Sequence, residues 1–246
     1  MNFFVILEKE LRSYFSSLIA YIILAVFLVT SGYFFYTDLM FFVVFAGRST
    51  TEGLWLFFFN DVRFVMLFVT PLLTMRLFAE EKKLGTIELL STYPLRDIEI
   101  LLGKWVACVI VFALMLGLTF LYPILLNFVH KVPLTPLLSG YCGLFLLGCA
   151  FISCGILISS LTENQIVAAV VTLGVLVLFW FISWNEGMGG ELLVNVLIHL
   201  SLFDRFYNFA RGIIDTKDVI FFLIFSFFFL FLSLKSLESA RWRGLR

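Results

Sequence analysis

Long apolar stretches without charged residues alternate with short charged segments along the chain, and these stretches predict its membrane spans. A helix needs about 20 apolar residues to cross a hydrocarbon core of about 30 Å, because each residue adds about 1.5 Å. Four stretches reach this length without an Asp, Glu, Lys or Arg: Ser13–Thr37, Trp105–His130, Val132–Thr162 and Asn164–Asn185. A fifth, Val219–Leu234, is shorter, and it reaches a full span at Leu237 if Lys235 extends its amine to the interface.

A sixth span is less regular. Arg63 and Arg76 leave 12 uncharged residues between them, which is about 18 Å of helix. The span is complete only if Trp55–Val62 continues the helix outward, which puts Asp61 and Arg63 in its outer third. We therefore predict an all-α integral membrane protein with a single domain, residues 1–246, and six spans at 17–37, 56–79, 105–127, 137–160, 165–184 and 218–237.

The distribution of positive charge predicts the orientation of these spans. Cytoplasmic segments of membrane proteins carry an excess of Lys and Arg. If the N-terminus is inside, eleven of the 17 Lys and Arg residues fall on the inner side and six on the outer side. Both termini of this multi-pass protein are therefore predicted to be cytoplasmic.

The composition excludes two broad classes of protein. Hydrophobic residues make up 62% of the chain and charged residues 14%, with a mean hydropathy of +1.06. Soluble domains are about 45–50% apolar and about 25% charged, so this chain needs lipid as a solvent. A formal net charge of zero argues against a nucleic-acid partner, which requires a basic face.

Residues 1–16 predict an interfacial helix before the first span. Apolar residues recur at helical spacing at Phe4, Leu7, Leu11 and Phe15, whereas Lys9 and Arg12 lie on the opposite face. Such a helix lies in the plane of the membrane with its apolar face in lipid. It can serve as a simple anchor or as a grip for a partner, and the pattern does not separate these two roles.

The segment 80–104 joins the second and third spans on the predicted inner side. Gly85 suits the end of a helix, Thr86 can cap a new one, and Pro94 stops it. The pattern predicts a short amphipathic helix, Ile87–Tyr93, that protrudes from the membrane. Arg76 and Glu80 are four residues apart, so they can form an ion pair on the preceding turn.

The segment before the last span predicts an outer helix over residues 201–212. Ser201 suits its start and Gly212 its end. Five apolar side chains would let it dip into the outer leaflet as a re-entrant or interfacial helix: Leu202, Phe203, Phe206, Phe209 and Ile213. Simple packing at the interface is an equally open alternative.

Two charges fall inside a predicted span boundary, Asp61 and Arg63. Charges within a membrane are costly and usually face a cavity, so these two can line the outer end of a translocation path. Alternatively, the second span starts lower and both residues lie among the lipid headgroups.

The sequence predicts neither a metal site nor a catalytic residue. The four cysteines have no zinc-site spacing, and three of them fall among glycines of the fourth span, which favours packing. Both histidines are predicted outside, away from Glu80 and Glu81, and neither belongs to an HExxH pattern. An intramembrane hydrolase or a self-contained secondary transporter stays open as an alternative, although we recognise no internal repeat.

Four segments together resemble a known family. Glu80-Glu81-x-x-x-Gly85-Thr86-x-Glu88-x-Leu90-x-x-x-Pro94, followed by Gly103-Lys104, is similar to the coupling loop of ABC-2 permeases. The turn 159–165, the helical segment 201–215 and the ending 237–243 also resemble segments of that family. The likeness extends over essentially the whole chain. Within that family, the sequence is most similar to the bacterial branch that includes gliding-motility and nitrous-oxide-reductase-maturation permeases.

The resemblance implies that this chain is a permease subunit of an ATP-driven exporter, without enzymatic activity or a cofactor of its own. A second permease, identical or related, would complete the pore, and each would dock on a cytosolic ATPase subunit that binds Mg-ATP. The ATPase-coupling residues implied are Glu80, Glu81, Gly85, Thr86, Glu88 and Pro94. Lys9, Arg12 and Glu163 would be further contacts, and the outer helix 201–212 would gate the exit.

Overall fold

A computed structural model describes residues 2–45, 52–86, 96–128, 133–182 and 201–244. Within these ranges the chain consists of helices and short connections, without strands. The all-α class is therefore confirmed. The predicted short helix Ile87–Tyr93, which includes Glu88, lies outside the described residues, as does Pro94.

The described residues form ten helices. In chain order they are α1 (Asn2–Ser16), α2 (Leu18–Phe45), α3 (Glu52–Thr74), α4 (Arg76–Lys83), α5 (Asp97–Leu118), α6 (Leu121–Asn127), α7 (Leu134–Leu161), α8 (Gln165–Ile182), α9 (Leu202–Ala210) and α10 (Thr216–Gly244). Some of these extend beyond the predicted spans. For example, α2 continues through Asp38, because the absence of charge marks the lipid-compatible part of a helix rather than its end.

Five described segments are long and apolar enough to cross a membrane: Leu18–Val44, Gly53–Lys83, Asp97–Asn127, Leu134–Leu161 and Thr216–Ser239. Two of these segments contain two helices each, α3 with α4 and α5 with α6. The α8 helix is apolar but shorter. The six-span arrangement itself stays a prediction.

The centre of the bundle is α7, which packs against α3, α4, α5, α8, α9 and α10. Its glycines make this possible because each one receives a side chain from a different neighbour. Phe59 of α3 lies against Gly140, Phe112 of α5 against Gly148, and Phe209 of α9 against Gly143. In lipid, where apolar surface alone gives little drive for helix association, such close approach supplies the packing.

At one end of the bundle, α1 lies alongside α5. Its inward face consists of Ile6, Glu10 and Tyr14, which are buried and spaced by four residues. The Ile6 side chain fits over Gly103, where an added methyl group would come within 2.7 Å of it. Phe4 and Phe15 remain exposed on the surface of the chain, so the buried face is not the apolar one that the sequence emphasises.

At the opposite end, α9 packs onto α7, α3, α8 and α10. The Ser201 hydroxyl accepts a hydrogen bond from the Asp204 N–H at 3.2 Å, so the predicted N-cap is confirmed. Of the five apolar side chains, Ile213 is exposed, whereas four are buried against the bundle: Leu202, Phe203, Phe206 and Phe209. For these four the prediction of lipid contact is wrong, and the alternative of packing describes them. An amphipathic helix can bury its apolar face in protein as readily as in lipid, and periodicity alone does not separate the two.

We predict that Gly148→Ala lowers stability, because its methyl group would overlap the buried ring of Phe112. Overpacking of this kind costs about 1–3 kcal/mol. Thermal unfolding of the purified protein in detergent measures the effect. Gly174→Ala in α8 is the matched control, since nothing lies within 4 Å of the added methyl group. Equal unfolding temperatures for the two variants would contradict the packing described for α7.

Candidate functional site

Four charged side chains from three helices meet at the α1 end of the bundle, and we call them the ion-pair network. Lys9 and Glu10 come from α1, Glu81 from α4, and Lys104 from α5. The Lys104 Nζ atom lies 2.8 Å from Glu10 Oε1 and 2.9 Å from Glu81 Oε1. The Lys9 Nζ atom lies 3.1 Å from the same Glu81 oxygen and 3.7 Å from Glu10 Oε1. The two positive and two negative charges balance.

Three of these four side chains are largely withdrawn from solvent. The side chain of Lys104 is 2% exposed, that of Glu10 is 9% exposed and that of Glu81 is 13% exposed, whereas Lys9 is 57% exposed. The ring of Phe78 covers the Lys104 amine, with its centroid 5.2 Å away. A buried amine is costly unless it is paired, so Lys104 depends on both carboxylates.

The network also acts on Lys9 at its open side. Burial alone would lower the pKa of the Lys9 amine, but the carboxylates of Glu81 and Glu10 outweigh that effect and raise its pKa above the usual value. Lys9 is therefore held in its charged form as the outermost member of the network.

Local sequence explains how the three helices reach one another. Gly103 precedes Lys104 and allows α1 to approach α5, which brings Glu10 over the Lys104 amine. On the other side, α4 ends after Glu81. Gly85 adopts a left-handed conformation with φ of 68°, and the Thr86 hydroxyl donates to the Glu81 carbonyl at 3.2 Å. These contacts turn the chain away from the network immediately after the last helical residues.

A cavity of about 260 Å³ adjoins the network. Glu80 and Arg76 line it together with Lys9, Glu81 and Thr86. The predicted ion pair between Arg76 and Glu80 is wrong, because the guanidinium points elsewhere. It donates to the Ser17 hydroxyl at 2.6 Å and lies over the Tyr14 ring, 4.6 Å from its centroid. Helical spacing permits the pair, but Tyr14 of α1 and Ser17, which follows α1, contact the guanidinium instead.

Arg12 and Glu163, the other predicted contact residues, stand apart from the network. Arg12 pairs with Glu8 on its own helix at 3.5 Å, and both side chains are exposed. Glu163 is exposed in the turn between α7 and α8. The nearby Lys82 amine donates to the carbonyl of Ser160. The structure thus brings together Lys9 and Glu81 of the predicted set, and adds Glu10 and Lys104, which sequence reasoning missed.

A signal for Glu10 was present in the sequence. It stands four residues from both Ile6 and Tyr14, so it lies on the face of α1 that the fold buries. Lys104 interrupts an apolar run directly after Gly103. A lone lysine at a predicted membrane boundary is usually taken as solvated, and its two partners are distant in sequence.

At the α9 end, Arg63 joins α3 to α9. Its guanidinium donates to the Phe203 carbonyl at 3.2 Å and lies over the rings of Phe203 and Phe206, at 5.2 Å and 5.6 Å from their centroids. Asp61 lies nearby and is partly exposed. Arg63 is therefore mainly a contact between helices.

A second polar contact holds α9 at its other side. Arg205 of α9 lies 3.1 Å from the Asp218 carboxylate of α10, and the Asn208 side-chain amide donates to the same carboxylate at 2.9 Å. The Arg205 guanidinium also lies 4.1 Å from the centroid of the Phe221 ring. The α9 helix is thus tied by charge to the helices on both sides.

An all-helical bundle with several membrane-length apolar helices defines a multi-pass membrane protein. The family described as ABC-2 family transporter protein matches residues 4–211. Since this match covers most of the chain, the chain belongs to the ABC-2 family and is a permease component of an ABC transporter. Among curated proteins, none matches this sequence.

We predict that Lys104→Met destabilises the protein strongly, because it leaves the carboxylates of Glu10 and Glu81 adjacent, buried and unbalanced. Removing one partner of a buried ion pair costs about 3–5 kcal/mol. Thermal unfolding in detergent, with Lys83→Met as a control at an exposed lysine of α4, measures the difference.

Adding Glu10→Gln to Lys104→Met should recover part of the loss, because it removes the one negative charge that Lys9 leaves unbalanced. If the effects of the two substitutions were simply additive, Glu10 and Lys104 would not be coupled as the network requires.

Proposed function

We propose that this chain is the membrane-spanning subunit of an ATP-driven exporter and that a separate cytosolic ATPase supplies its motion. Family membership supports the permease role. The ion-pair network supports the proposal that force enters through residues 84–96, because it joins α1 to the two helices that flank this segment. The motion would serve substrate export or mechanical work across the membrane.

The orientation that we propose puts the α1 end on the cytoplasmic side of a bacterial inner membrane, with both termini inside. The support is the sequence count, in which eleven of the 17 Lys and Arg residues fall on the inner side of the predicted spans and six on the outer side. In this orientation α9 lies on the outer side. The exposed residues Phe4 and Phe15 of α1 would then rest in the inner leaflet.

The partners follow from the permease role. An ATPase subunit, which carries the Mg-ATP, would receive residues 80–94 in a cleft, and a second ATPase and a second permease, identical or related, would complete the assembly. Within this segment Glu80 faces the cavity, so we assign it a direct contact with the ATPase. Gly85 and Thr86 would set the direction of the segment, and Glu88 and Pro94 are proposed contacts on its far part.

Glu81 has a different part in this proposal. Its Oε1 atom already forms ion pairs with the amines of Lys9 and Lys104. We therefore propose that Glu81 transmits force inside the permease rather than touching the ATPase. A displacement of the segment after α4 would be transmitted through Glu81 to α1 by the ion pair with Lys9 and to α5 by the ion pair with Lys104. Each of these connections is a single direct contact. Arg12 and Glu163, both exposed, would be peripheral contacts.

The α9 end supports a proposal for the exit. Because Arg63 and Phe203 join α3 to α9, a movement of α3 would displace α9 as well. We propose that Asp61 lines the outer end of the translocation path beside this joint. Arg63 would then be exposed to the path only when α9 moves away.

The first test is purification of the chain from its native membrane in mild detergent. We expect a soluble ATPase subunit to co-elute with it, and the complex to hydrolyse ATP. Recovery of the chain in active form without any ATPase, able to move a solute or to cleave a substrate, would contradict the proposal. That outcome would instead favour a secondary transporter or an intramembrane hydrolase.

We further predict that Glu81→Gln reduces ATP hydrolysis by the complex several-fold, because the loss of charge loosens α4 from α1 and α5. Glu238→Gln is the matched control, since this carboxylate is 40% exposed, lies near the same end of the bundle, and pairs only within its helix, with Lys235 at 2.7 Å. Equal hydrolysis by both variants and the unmodified complex would exclude Glu81 as a coupling residue.

A further inference from the structure

The second membrane segment, Gly53–Lys83, is interrupted at Met75, where α3 ends and α4 begins. A hydroxyl group from another helix occupies this break. The backbone N–H groups of Phe78 and Ala79 donate to the Ser159 oxygen of α7 at 3.1 Å and 3.2 Å. The same hydroxyl donates to the Met75 carbonyl at 3.1 Å.

The bond from Phe78 replaces one backbone hydrogen bond of the helix, and the bond from Ala79 adds to the first hydrogen bond of α4, because Met75 is the N-cap whose carbonyl accepts it. In an uninterrupted α-helix the N–H groups of Phe78 and Ala79 would bond to the carbonyls of Thr74 and Met75, four residues earlier. Ser159 is fully buried, so no water replaces the missing bond. A backbone polar group left unsatisfied in a membrane costs several kcal/mol. A serine hydroxyl has one donor and two acceptor positions, and all three are used here.

The packing around the break is equally specific. Gly155, one turn before Ser159 on α7, receives the Thr74 side chain, and an added methyl group would overlap it. The Thr74 hydroxyl donates to the Thr70 carbonyl at 3.0 Å within its own helix. Pro71 lacks an N–H group, so it removes one more backbone hydrogen bond on the α3 side. The segment is therefore weakened on both sides of Met75, at the point where α7 holds it closest.

The break lies between the two charged contacts of this segment. Glu81 of the ion-pair network follows Met75 by six residues, about 9 Å along the helix. Arg63, which holds α9, precedes Met75 by twelve residues, about 18 Å. A displacement that travels along this segment from Glu81 to Arg63 crosses the break before it reaches α9.

We propose that the break at Met75 is a hinge and that Ser159 is the positioning residue that keeps it open. This inference rests on the proposed function. The hydroxyl can rotate and tilt while it stays bonded to Phe78 and Ala79, so α4 can pivot against α3 without exposing unpaired N–H groups. A pivot of roughly 15° would move the far end of α4, which is about 12 Å long, by about 3 Å.

The substitution Ser159→Ala removes the hydroxyl and leaves the Phe78 N–H group without its partner. We expect this N–H group to return to the carbonyl of Thr74, which makes the helix continuous and stiff. Ser159→Thr retains the hydroxyl and should retain the hinge. Ser226→Ala is the matched control, because the buried Ser226 hydroxyl donates to the Phe222 carbonyl of its own helix.

The experiment measures distances between spin labels in the purified complex with its ATPase, before and after trapping with ATP and vanadate. One label pair, at Lys83 and Leu161, links the far end of α4 to the end of α7 from two exposed positions. A second pair, at Leu138 and Leu161, spans the uninterrupted α7. The exposed Cys142 is replaced by Ser, whereas the other three cysteines are buried.

The expected result is a change of up to about 3 Å in the Lys83–Leu161 distance on trapping, because a 15° pivot displaces the end of α4 sideways relative to α7. The Leu138–Leu161 distance should stay constant. Ser159→Ala should abolish the shift, while Ser159→Thr and Ser226→Ala should preserve it.

Two outcomes would overturn the hinge. One is an unchanged Lys83–Leu161 distance in the unmodified complex that co-elutes with its ATPase and hydrolyses ATP, and this measurement decides even if Ser159→Ala fails to fold. The other is a full shift in Ser159→Ala. Failure of the ATPase to co-elute at all would instead contradict the proposed function, so the two failures are distinguishable.

Discussion

The pairing of the Lys104 amine with two carboxylates is the interaction on which the architecture at the α1 end depends. A nearly fully buried amine must be neutralised, and Glu10 and Glu81 do so at 2.8 Å and 2.9 Å. Because these carboxylates belong to α1 and α4, satisfying one charge fixes the relative positions of three helices. Lys9 then balances the second carboxylate at the open side.

The same constraint recurs elsewhere in the bundle, each time with a different polar group. Arg63 within an apolar segment finds the Phe203 carbonyl and two aromatic rings. The interrupted helix at Met75 finds the Ser159 hydroxyl. In a solvent that cannot hydrogen-bond, every polar interruption of an apolar helix needs a protein partner, and that partner ties two elements together. The polar groups of the second membrane segment, Gly53–Lys83, are therefore the contacts that connect it to neighbouring helices.

Apolar packing complements these polar contacts between helices. The glycines of α7 bring α3, α5 and α9 close to the centre. Shape complementarity of this kind holds the core together but transmits displacement in every direction. The directed contacts lie along α3 and α4, from Arg63 through Met75 to Glu81. This arrangement is compatible with the permease role of the ABC-2 family.

The sequence by itself determined the membrane class, the approximate apolar segments, the N-cap at Ser201 and the family, because length, charge and hydrophobic pattern are local properties read along one chain. Only the tertiary structure decided which charges are buried. Glu10 and Lys104 are 94 positions apart, and Ser159 lies 80 positions from Ala79. It also decided that the apolar face of α9 is covered by protein and that Arg76 turns towards Ser17. These outcomes depend on which helices become neighbours, and a helical pattern specifies a face without specifying what covers it.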